Sequence, residues 1–504
     1  MVIWGDTVAY WARWQCDAVA IRFGDRDLTW GELSTRADRV AAGLAELGVG
    51  HGDRIGLLMS NRPEFIEVVV GAARLGAIVA PFNLRFTPTE LAYVVGNADC
   101  DVVVTEAALA PGLSIAHDQR TLTAIDVDGG SYADLLANDG AFTAPRIDAD
   151  DPWFICFTSG TTGDPKGAVL THRSWFYASM VRALQGGINR NDRILLPFPL
   201  AFTGGLALSM VALWSGATLV LEPTFDPGRA LHLIEAQRIT VFMAVPTLFQ
   251  MMALHPAFAA ADLASIRCAS SGGATVPVPL LRTYLDRGIT MTQTYSLTEV
   301  SASGITLPYH QSLEKIGSCG VPAMHSQARI CDADGNEVAP GTVGEICIKG
   351  PEVMQGYWRN PEATATTLRD GWCHTGDLGT MDADGYFYVV DRAKDMLISG
   401  GLNVYPAEIE RQLAGIEGIV ELAVIGVPDA MWGETPAVVA VTDGRPIDGR
   451  TVLDACEGVL ADFKLPRYLV VRDTPLPRNM SNKVLKAELR AEYADLPSTA
   501  QPIR

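Results

Sequence analysis

The sequence is short of positive charge and of paired cysteines, and each shortage excludes a class of protein. Its 504 residues carry 39 Lys and Arg against 58 Asp and Glu, and this net charge of −19 argues against a general nucleic-acid-binding surface. The nine cysteines are odd in number and form no C-x-x-C, so neither a disulfide framework nor a structural zinc site is predicted. Cationic contacts to any anionic ligand must therefore be local.

Export and membrane signals are also missing. Met1–Asp6 has neither the basic nor the apolar region of a signal peptide, so a cytoplasmic location is expected. The stretch Ile194–Leu221 has no charged side chain and is long enough to span a membrane. Two prolines and three glycines interrupt it, however. We predict a buried strand, a loop, a helix over Gly205–Trp214 and a strand over Ala217–Leu221 instead.

The first half of the chain alternates helices and strands. A hydrophobic content of 48% over this length indicates a globular protein of more than one domain. The predicted elements are a helix after the T-x-x-E capping box of Thr29 and Glu32, strands at Ile55–Met59, Ile78–Pro81 and Asp101–Thr105, and a helix at Glu64–Leu75. This alternation predicts parallel sheets with helices on both faces.

The pattern changes after about residue 318, where short strands and turns predominate. Three strands are predicted at Gln327–Asp332, Glu345–Lys349 and Tyr386–Val390. Beyond Asp391–Asp395 the pattern is mixed, with a helix at Pro406–Leu413, strands at Val420–Val427 and Ala437–Thr442, and a helix at Gly449–Ala461. We therefore predict a small β-barrel-like subdomain and a domain boundary that separates residues 1–393 from 394–504.

A glycine-rich and hydroxyl-rich loop, Thr158–Gly167 (TSGTTGDPKG), follows a predicted buried strand at Trp153–Phe157. Glycine allows close approach of the backbone to a phosphate, hydroxyl and N–H groups donate to its oxygens, and Lys166 adds a positive charge. The loop is not a Walker A motif, because Pro165 precedes Lys166 and Gly167 follows it. Taken alone, the segment could equally be an ordinary turn.

Seven segments in this order resemble the adenylate-forming superfamily of acyl-CoA synthetases, adenylation domains and luciferases. They are Thr158–Gly167, Ser271–Ala274 (SGGA), Gln293–Glu299 (QTYSLTE), Gly344–Glu345 with Gly356–Trp358, Trp372–Asp377 (WCHTGD), Asp391–Asp395 running into Gly400–Pro406, and Leu476–Lys483 (LPRNMSNK). The resemblance covers nearly the whole chain. It implies an α/β fold with a large N-terminal domain of two helix-flanked, mostly parallel sheets and a small, mobile α+β C-terminal domain.

The resemblance also implies an acid–thiol ligase that uses ATP, Mg²⁺ and CoA. A carboxylate attacks the α-phosphate of ATP to give acyl-AMP and pyrophosphate, and the acyl group then passes to CoA. The residues implied to hold the β- and γ-phosphates are Thr158, Ser159, Gly160, Thr161, Thr162, Gly163 and Lys166. Those implied to line the adenine are Gly272, Gly273, Ala274 and Tyr295.

Further residues acquire catalytic roles through the same resemblance. Thr298 and Glu299 would face the α-phosphate, with Glu299 as the Mg²⁺ ligand. Asp377 would accept from the ribose hydroxyls, Arg392 would reach the ribose or a phosphate, and Lys483 would bridge the carboxylate and the α-phosphate. Out of context, Asp377 could be a turn residue, Tyr295 a core residue, Lys483 a solvent-exposed lysine, and Arg392 an ion-pair partner of Asp391.

The second half-reaction is implied to need the C-terminal domain to swing about a hinge. Lys394 occupies the hinge position, and Gly400 and Gly401 fall where small residues line the tunnel for the thiol of CoA. A plain Gly-Gly turn is the alternative for this pair. In the tail, the common SGK is replaced by SNK at Ser481–Lys483, and asparagine tolerates the left-handed conformation of such a turn.

The acyl-pocket motif departs from the family pattern. The usual PLFHTGG reads PLAFTGG at Pro199–Gly205, so Phe202 replaces a histidine and this wall becomes apolar. The residues expected to line the acyl pocket are Phe202, Met243, Val245, Leu297 and Gly304, none of which is basic. A hydrophobic acid is therefore expected, first a medium- to long-chain fatty acid and then an aryl or alicyclic acid.

Two other functions stay open at this point. One is an acyl-AMP ligase that loads a carrier protein, although the N-terminal region shows no inserted segment and no Asp-Ser-Leu attachment site follows Lys483. The other is a non-catalytic nucleotide-binding protein, which would not need a transition-state lysine. The expected partners are a carboxylic acid, ATP and CoA, with no nucleic acid and no transmembrane segment, and a homodimer stays open.

Overall fold

The computed structural model describes residues 3–158, 164–274, 276–429, 431–478 and 484–504. The chain divides into two compact units. Unit 1 contains Met1–Ala328 and Cys347–His374, and unit 2 contains Arg329–Ile346 and Thr375–Arg504. The predicted boundary between residues 393 and 394 lies inside unit 2 and stays a prediction.

Within the described residues, one nine-stranded sheet forms part of unit 1. Its strands are, in spatial order, Val321–Pro322, Gly304–Thr306, Met291–Ser296, Cys268–Gly272, Val241–Ala244, Arg193–Leu196, Thr218–Leu221, Val19–Phe23 and Arg26–Thr29. The pairs from Met291–Ser296 through Val19–Phe23 are parallel, and the outer pairs are antiparallel. The predicted mostly parallel sheet is therefore confirmed.

A seven-stranded sheet completes the framework of unit 1 in the described part of the chain. Its strands, in spatial order, are Gly356–Tyr357, Lys166–Thr171, Pro152–Thr158, Ile78–Pro81, Arg54–Leu58, Val102–Thr105 and Thr123–Asp126. The strands from Pro152–Thr158 onward are parallel, whereas Lys166–Thr171 pairs antiparallel with both of its neighbours. The glycine- and hydroxyl-rich loop Thr158–Gly167, named here the phosphate-loop segment, therefore runs between two antiparallel strands.

The helices of unit 1 alternate with these strands. They are Trp4–Trp14, Trp30–Glu46, Pro63–Leu75, Pro88–Ala98, Ser114–Gln119, Gly130–Leu135, His172–Gly186, Thr203–Ser215, Pro227–Ala236, Pro246–Leu254, Val278–Leu285 and Pro361–Thr367. The predicted capping box begins the second helix, since Glu32 N donates to Thr29 Oγ1 at 3.2 Å and Thr29 N donates to Glu32 Oε2 at 2.9 Å. The two reciprocal bonds satisfy donors that the first helical turn leaves without partners.

The stretch Ile194–Leu221, which has no charged side chain, folds as predicted into a strand, a helix and a strand within the core. Most of the helix Thr203–Ser215 is buried, because its hydrophobic residues cover the whole helix circumference. Among the described residues, no helix combines the length and the apolar character needed to cross a bilayer.

A five-stranded sheet follows in the chain. Its strands run in the order Gln327–Cys331, Gly344–Lys349, Trp372–Met381 and Leu368–Arg369, and Phe387–Arg392 also pairs with Trp372–Met381. A second five-stranded sheet has the order Leu402–Val404, Leu397–Ser399, Gly433–Thr442 and Ile419–Asp429, with Tyr468–Arg472 parallel to Gly433–Thr442. The helices of unit 2 in the described ranges are Pro406–Leu413, Gly449–Cys456, Lys486–Glu492 and Leu496–Thr499.

One predicted element is too long. The helix expected over Gly449–Ala461 ends at Cys456. Glu457 is extended, with φ −61° and ψ 135°, and Gly458 has φ +76°. The glycine supplies a left-handed turn at no steric cost, which stops the helix before its apolar pattern ends.

Candidate active site

The phosphate-loop segment is flanked by a firmly paired strand ladder. Thr158 lies opposite Lys166 in the antiparallel register, and Thr158 Oγ1 donates to Lys166 O at 3.3 Å. The strand Pro152–Thr158 is buried at its centre, so the ladder is anchored in the core. The predicted ligands Ser159, Gly160, Thr161, Thr162 and Gly163 lie outside the described residues.

Lys166, Tyr357 and Glu299 come together at the end of this ladder. The Nζ atom of Lys166 lies 5.7 Å from the centroid of the Tyr357 ring, and Tyr357 OH donates to Glu299 Oε1 at 2.7 Å. Burial, reinforced by the charge of Glu299, raises the pKa of Tyr357 above its usual value. The phenol therefore stays protonated and holds the carboxylate by a charge-assisted hydrogen bond.

The turn that carries Thr298 and Glu299 is tied to a second helix. Thr298 and Thr203 share a hydrogen bond between their hydroxyl oxygens at 2.8 Å, and Thr203 is the first residue of the helix Thr203–Ser215. Met354 N donates to Glu299 O at 2.8 Å. Glu299 is half-buried, and its Oε2 has no partner among the described residues. A hard carboxylate oxygen of this kind suits Mg²⁺.

The residues expected around the adenine lie at the carboxyl ends of two neighbouring parallel strands. Gly272 ends one strand, where a Cβ would lie 2.8 Å from the Thr294 carbonyl oxygen, and Gly273 has φ +80°. Tyr295 lies on the adjacent strand and is 9% exposed. Ala274 follows the two glycines at the surface. This edge of an open α/β sheet is where such folds bind ligands.

In unit 2, Asp377 and Arg392 face each other. They are directly opposite in the antiparallel pair of strands, and Arg392 Nε lies 3.0 Å from Asp377 Oδ1. Gly376 N donates to Glu345 Oε1 at 2.8 Å, which fixes the turn before Asp377. The alternative ion pair between Arg392 and Asp391 is not found in the described residues, because the Asp391 carboxylate accepts from Ala407 N at 2.8 Å and Arg392 N at 2.7 Å.

The predicted hinge and tunnel residues also lie in unit 2. Partial burial, together with the charge of Arg392, lowers the pKa of Lys394. Gly400 and Gly401 form the two-residue turn between Leu397–Ser399 and Leu402–Val404, with φ +58° and +79°. Both positive φ values are typical of a type I′ hairpin. Lys483 lies outside the described residues.

The five residues expected at the acyl pocket fall mainly at the ends of elements. Phe202 and Val245 precede the helices Thr203–Ser215 and Pro246–Leu254, and Leu297 precedes the turn at Thr298. Gly304 begins its strand with φ +144°. Among the described residues, a cavity lies between the helix His172–Gly186 and the nine-stranded sheet. Of the five expected pocket residues, Met243 alone lines this cavity.

Sequence reasoning missed three contacts that shape the site. They are the hydrogen bonds of Tyr357 with Glu299, of Thr203 with Thr298 and of Glu345 with Gly376. Tyr357, Thr203 and Glu345 all lie in motifs of the sequence analysis, but none of them was assigned a role there. No pattern in a single sequence indicates that the Tyr357 hydroxyl faces Glu299, because the two residues come from different parts of the fold.

Comparison with known proteins identifies the family of the chain. Residues 8–358 match the model of the AMP-binding enzyme family, and residues 408–483 match that of the AMP-binding enzyme C-terminal domain. A feruloyl-CoA synthase from an Amycolatopsis species is 40% identical over 491 residues, which are 96% of this chain and 97% of that protein. The long-chain-fatty-acid–CoA ligase FadD13 of Mycobacterium tuberculosis (strain CDC 1551 / Oshkosh) is 36% identical, over 93% of this chain and 94% of that protein.

A solved structure supports the same assignment. ATP-bound MatB from Rhodopseudomonas palustris superposes with a TM-score of 0.90 at 33% identity, over 97% of this chain and 99% of that one. The chain belongs to the AMP-binding enzyme family, within the adenylate-forming superfamily. These comparisons confirm the predicted enzyme class, acid–thiol ligase, and the predicted cofactors ATP, Mg²⁺ and CoA.

Proposed function

We propose that this protein activates an aryl carboxylic acid with ATP to form acyl-AMP and pyrophosphate, and then transfers the acyl group to CoA. The observation that carries the adenylation step is the contact of Lys166 and Glu299 with the same phenol, Tyr357. It places a cation and a carboxylate beside the phosphate-loop strands. The aryl acid is supported by the similarity to a feruloyl-CoA synthase.

A medium- to long-chain fatty acid is the second candidate. The apolar Phe202 in place of the common histidine favours it, as does the similarity to FadD13. Phe202, Val245, Leu297 and Gly304 are the proposed walls for either kind of acid, with Met243 deeper in the fold. A hydrophobic pocket of this kind separates related apolar substrates by only about 1–3 kcal/mol.

In the proposed mechanism the chain contributes mainly position and charge. Lys166 and the loop donors at Thr158–Gly163 neutralise the departing β- and γ-phosphates, while Lys483 meets the charge that develops at the α-phosphate. Thr298 donates to an α-phosphate oxygen from the position in which Thr203 holds it. Mg²⁺, when bound, would supply Lewis-acid neutralisation, and Glu299, oriented by Tyr357, is its proposed ligand.

The remaining assignments in the proposal concern the nucleotide and the thiol. The Asp377 carboxylate accepts from the ribose hydroxyls, and Arg392, its partner at 3.0 Å, orients it. Lys394 is the hinge of a domain that begins at residue 394, and Gly400 with Gly401 leaves room for the pantetheine arm. A cytoplasmic location and a homodimer stay predictions.

The test is thioester formation across a panel of acids. Enzyme, ATP, Mg²⁺ and CoA are incubated with cinnamic acids, benzoic acids and fatty acids of six to eighteen carbons, and the CoA thioesters are resolved by chromatography. The proposal expects the highest kcat/KM with an aryl acid. A fatty acid at the top of the ranking would establish the second candidate. Acyl-AMP release without any thioester would instead favour a carrier protein as the acceptor.

A further inference from the structure

A polar cavity lies between the C-terminal half of the helix His172–Gly186 and the nine-stranded sheet of unit 1. Its lining includes Arg182, Met243, Ser270, Thr294, Thr306 and Tyr309. Met243 is a proposed acyl-pocket residue, and Thr294 precedes Tyr295 on the strand proposed to lie against the adenine. Two lining residues thus lie near the carboxyl ends of parallel strands, the sheet edge at which the acid and the nucleotide are proposed to meet.

The guanidinium of Arg182 is the unusual group in this cavity. Its Nη2 donates to the carbonyl oxygen of Ala302, whereas its Nη1 is shielded from solvent and has no hydrogen-bond partner in the described part of the chain. No carboxylate among the described residues pairs with it. Burial lowers the pKa of Arg182 to about 10. The group is therefore a buried cation at neutral pH, an arrangement that is costly without a partner.

The neighbouring groups make the cavity suitable for an oxygen-bearing ligand. Ser270 and Thr294 share a hydrogen bond between their hydroxyls at 3.1 Å. Tyr309 OH donates to Ala269 O at 3.0 Å and lies 2.8 Å from Cys268 Sγ. Eight of the eleven lining residues carry polar side chains, which differs from the apolar acyl pocket expected from the sequence. A hydrocarbon chain ending here would leave the Arg182 Nη1 without an acceptor.

A purely structural role explains the hydrogen bond made by Arg182 Nη2 but not the buried Nη1, which is unpaired among the described residues. Ser301 and Ala302 both have φ +53°, and two consecutive left-handed residues that are not glycine are strained. The bond from Arg182 Nη2 to the Ala302 carbonyl stabilises this segment, which directly follows the turn of Thr298 and Glu299. It gives no reason for the second buried nitrogen, which points to a ligand.

We propose that Arg182 determines specificity by donating from Nη1 to an acceptor oxygen that the acid carries at the end remote from its reacting carboxylate. This inference rests on the proposed function and deepens it, because it names the substrate class of the same site. The shared chemistry is an acceptor oxygen on a hydrophobic body, either a second carboxylate or a phenolic oxygen. A carboxylate would also neutralise the buried charge.

Matched pairs of acids test the proposal. Pyrophosphate release is measured with cinnamic, 4-hydroxycinnamic and 4-carboxycinnamic acids, and with octanoic against octanedioic acid. The wild-type kcat/KM should favour an oxygen-bearing member over its plain partner by about 10- to 100-fold, the usual effect of one hydrogen bond to a charged group. The two substituted cinnamic acids distinguish the phenolic from the carboxylate source.

Variants then assign the preference to Arg182. Arg182→Met should abolish the preference, mainly through the KM of the oxygen-bearing acids, and Arg182→Lys should restore part of it. Arg287→Met is the matched control, because Arg287 donates to the carbonyls of Phe258 and Ala261 outside the cavity, and it should keep the preference. Calorimetric binding of the free acids gives a second readout that does not depend on turnover.

Three outcomes separate this inference from the proposed function. Thioesters formed preferentially from the plain acids by the wild-type enzyme would overturn the role of Arg182 and leave the proposed function standing. An equal loss for both members of each pair in Arg182→Met would also overturn it. If that variant does not fold, the wild-type ranking alone decides. If no acid in the panel yields a thioester, the proposed function itself fails.

Discussion

The two units hold their candidate functional residues in different ways. In unit 1, Lys166, Tyr357 and Glu299 come from three segments far apart in the sequence, and the half-buried phenol of Tyr357 joins them. In unit 2, Asp377 and Arg392 face each other across one pair of antiparallel strands, and the arginine side chain is 44% exposed. The Gly400–Gly401 turn of that unit is equally local.

This difference indicates how substitutions should act. A group held by partly buried contacts between distant segments loses position and stability when one partner is removed, because the remaining polar group is left partly shielded from water without a partner. Groups on local hairpins keep their backbone geometry, so a substitution there changes one chemical step and little else.

The largest effect is expected from Lys483→Ala. Removing a charge that acts only where negative charge develops at the α-phosphate should lower adenylation by about 10²- to 10³-fold. Thioester formation from synthetic acyl-AMP and CoA should stay close to that of the wild type. Pyrophosphate release and thioester formation, measured separately, check this. Equal loss in both assays would refute the assigned role.

The next effect is expected from Lys394→Pro, which fixes φ near −65° at the proposed hinge. Thioester formation should fall by about tenfold or more while adenylation changes little, since hinge substitutions act on the conformational step. Lys394→Ala removes the same charge without fixing the backbone, so it serves as the control and should keep both steps. If the alanine variant behaves like the proline variant, the lysine charge matters and the hinge lies elsewhere.

Tyr357→Phe tests the partly buried hydrogen bond between Tyr357 and Glu299 in unit 1. Without the hydroxyl, Glu299 loses its orienting donor, and the Mg²⁺ concentration for half-maximal adenylation should rise by about tenfold, as for other groups that orient a metal ligand. Tyr388→Phe is the matched control in unit 2, where Tyr388 OH donates to Asp382 Oδ2 at 3.2 Å. The Mg²⁺ dependence of the control should match that of the wild type. A shift of similar size in both variants would remove the contrast between the units.

The smallest effect is expected at the glycine turn. Alanine at either position carries the cost of a left-handed residue, about 1–2 kcal/mol. At Gly400 a Cβ would also lie 2.6 Å from Cε3 of Trp432, whereas at Gly401 it would meet open space. Thermal unfolding should therefore rank Gly400→Ala below Gly401→Ala in stability. Equal stability of the two variants would show that the indole moves aside without cost, and the reverse order would contradict the prediction.

The sequence predicted the framework better than the contacts within it. The helix after Thr29 and the strand Ile78–Pro81 followed from capping and apolar runs, because these signals are local. The prediction that the helix from Gly449 continues beyond Cys456 was wrong, because Gly458 stops the helix before the apolar pattern ends. Tyr357 and Arg182 could not be found, because their roles depend on which distant segment each side chain meets after folding.

One measurement tests the central claim most directly. The enzyme is incubated with ATP, Mg²⁺ and an aryl acid but without CoA, and the nucleotides are resolved by chromatography. Because Lys166 is proposed to hold the leaving phosphates and Lys483 to act at the α-phosphate, acid-dependent formation of AMP and pyrophosphate is expected. ADP and phosphate as the acid-dependent products would mean attack at the γ-phosphate, and would contradict both the mechanism and the residue assignments.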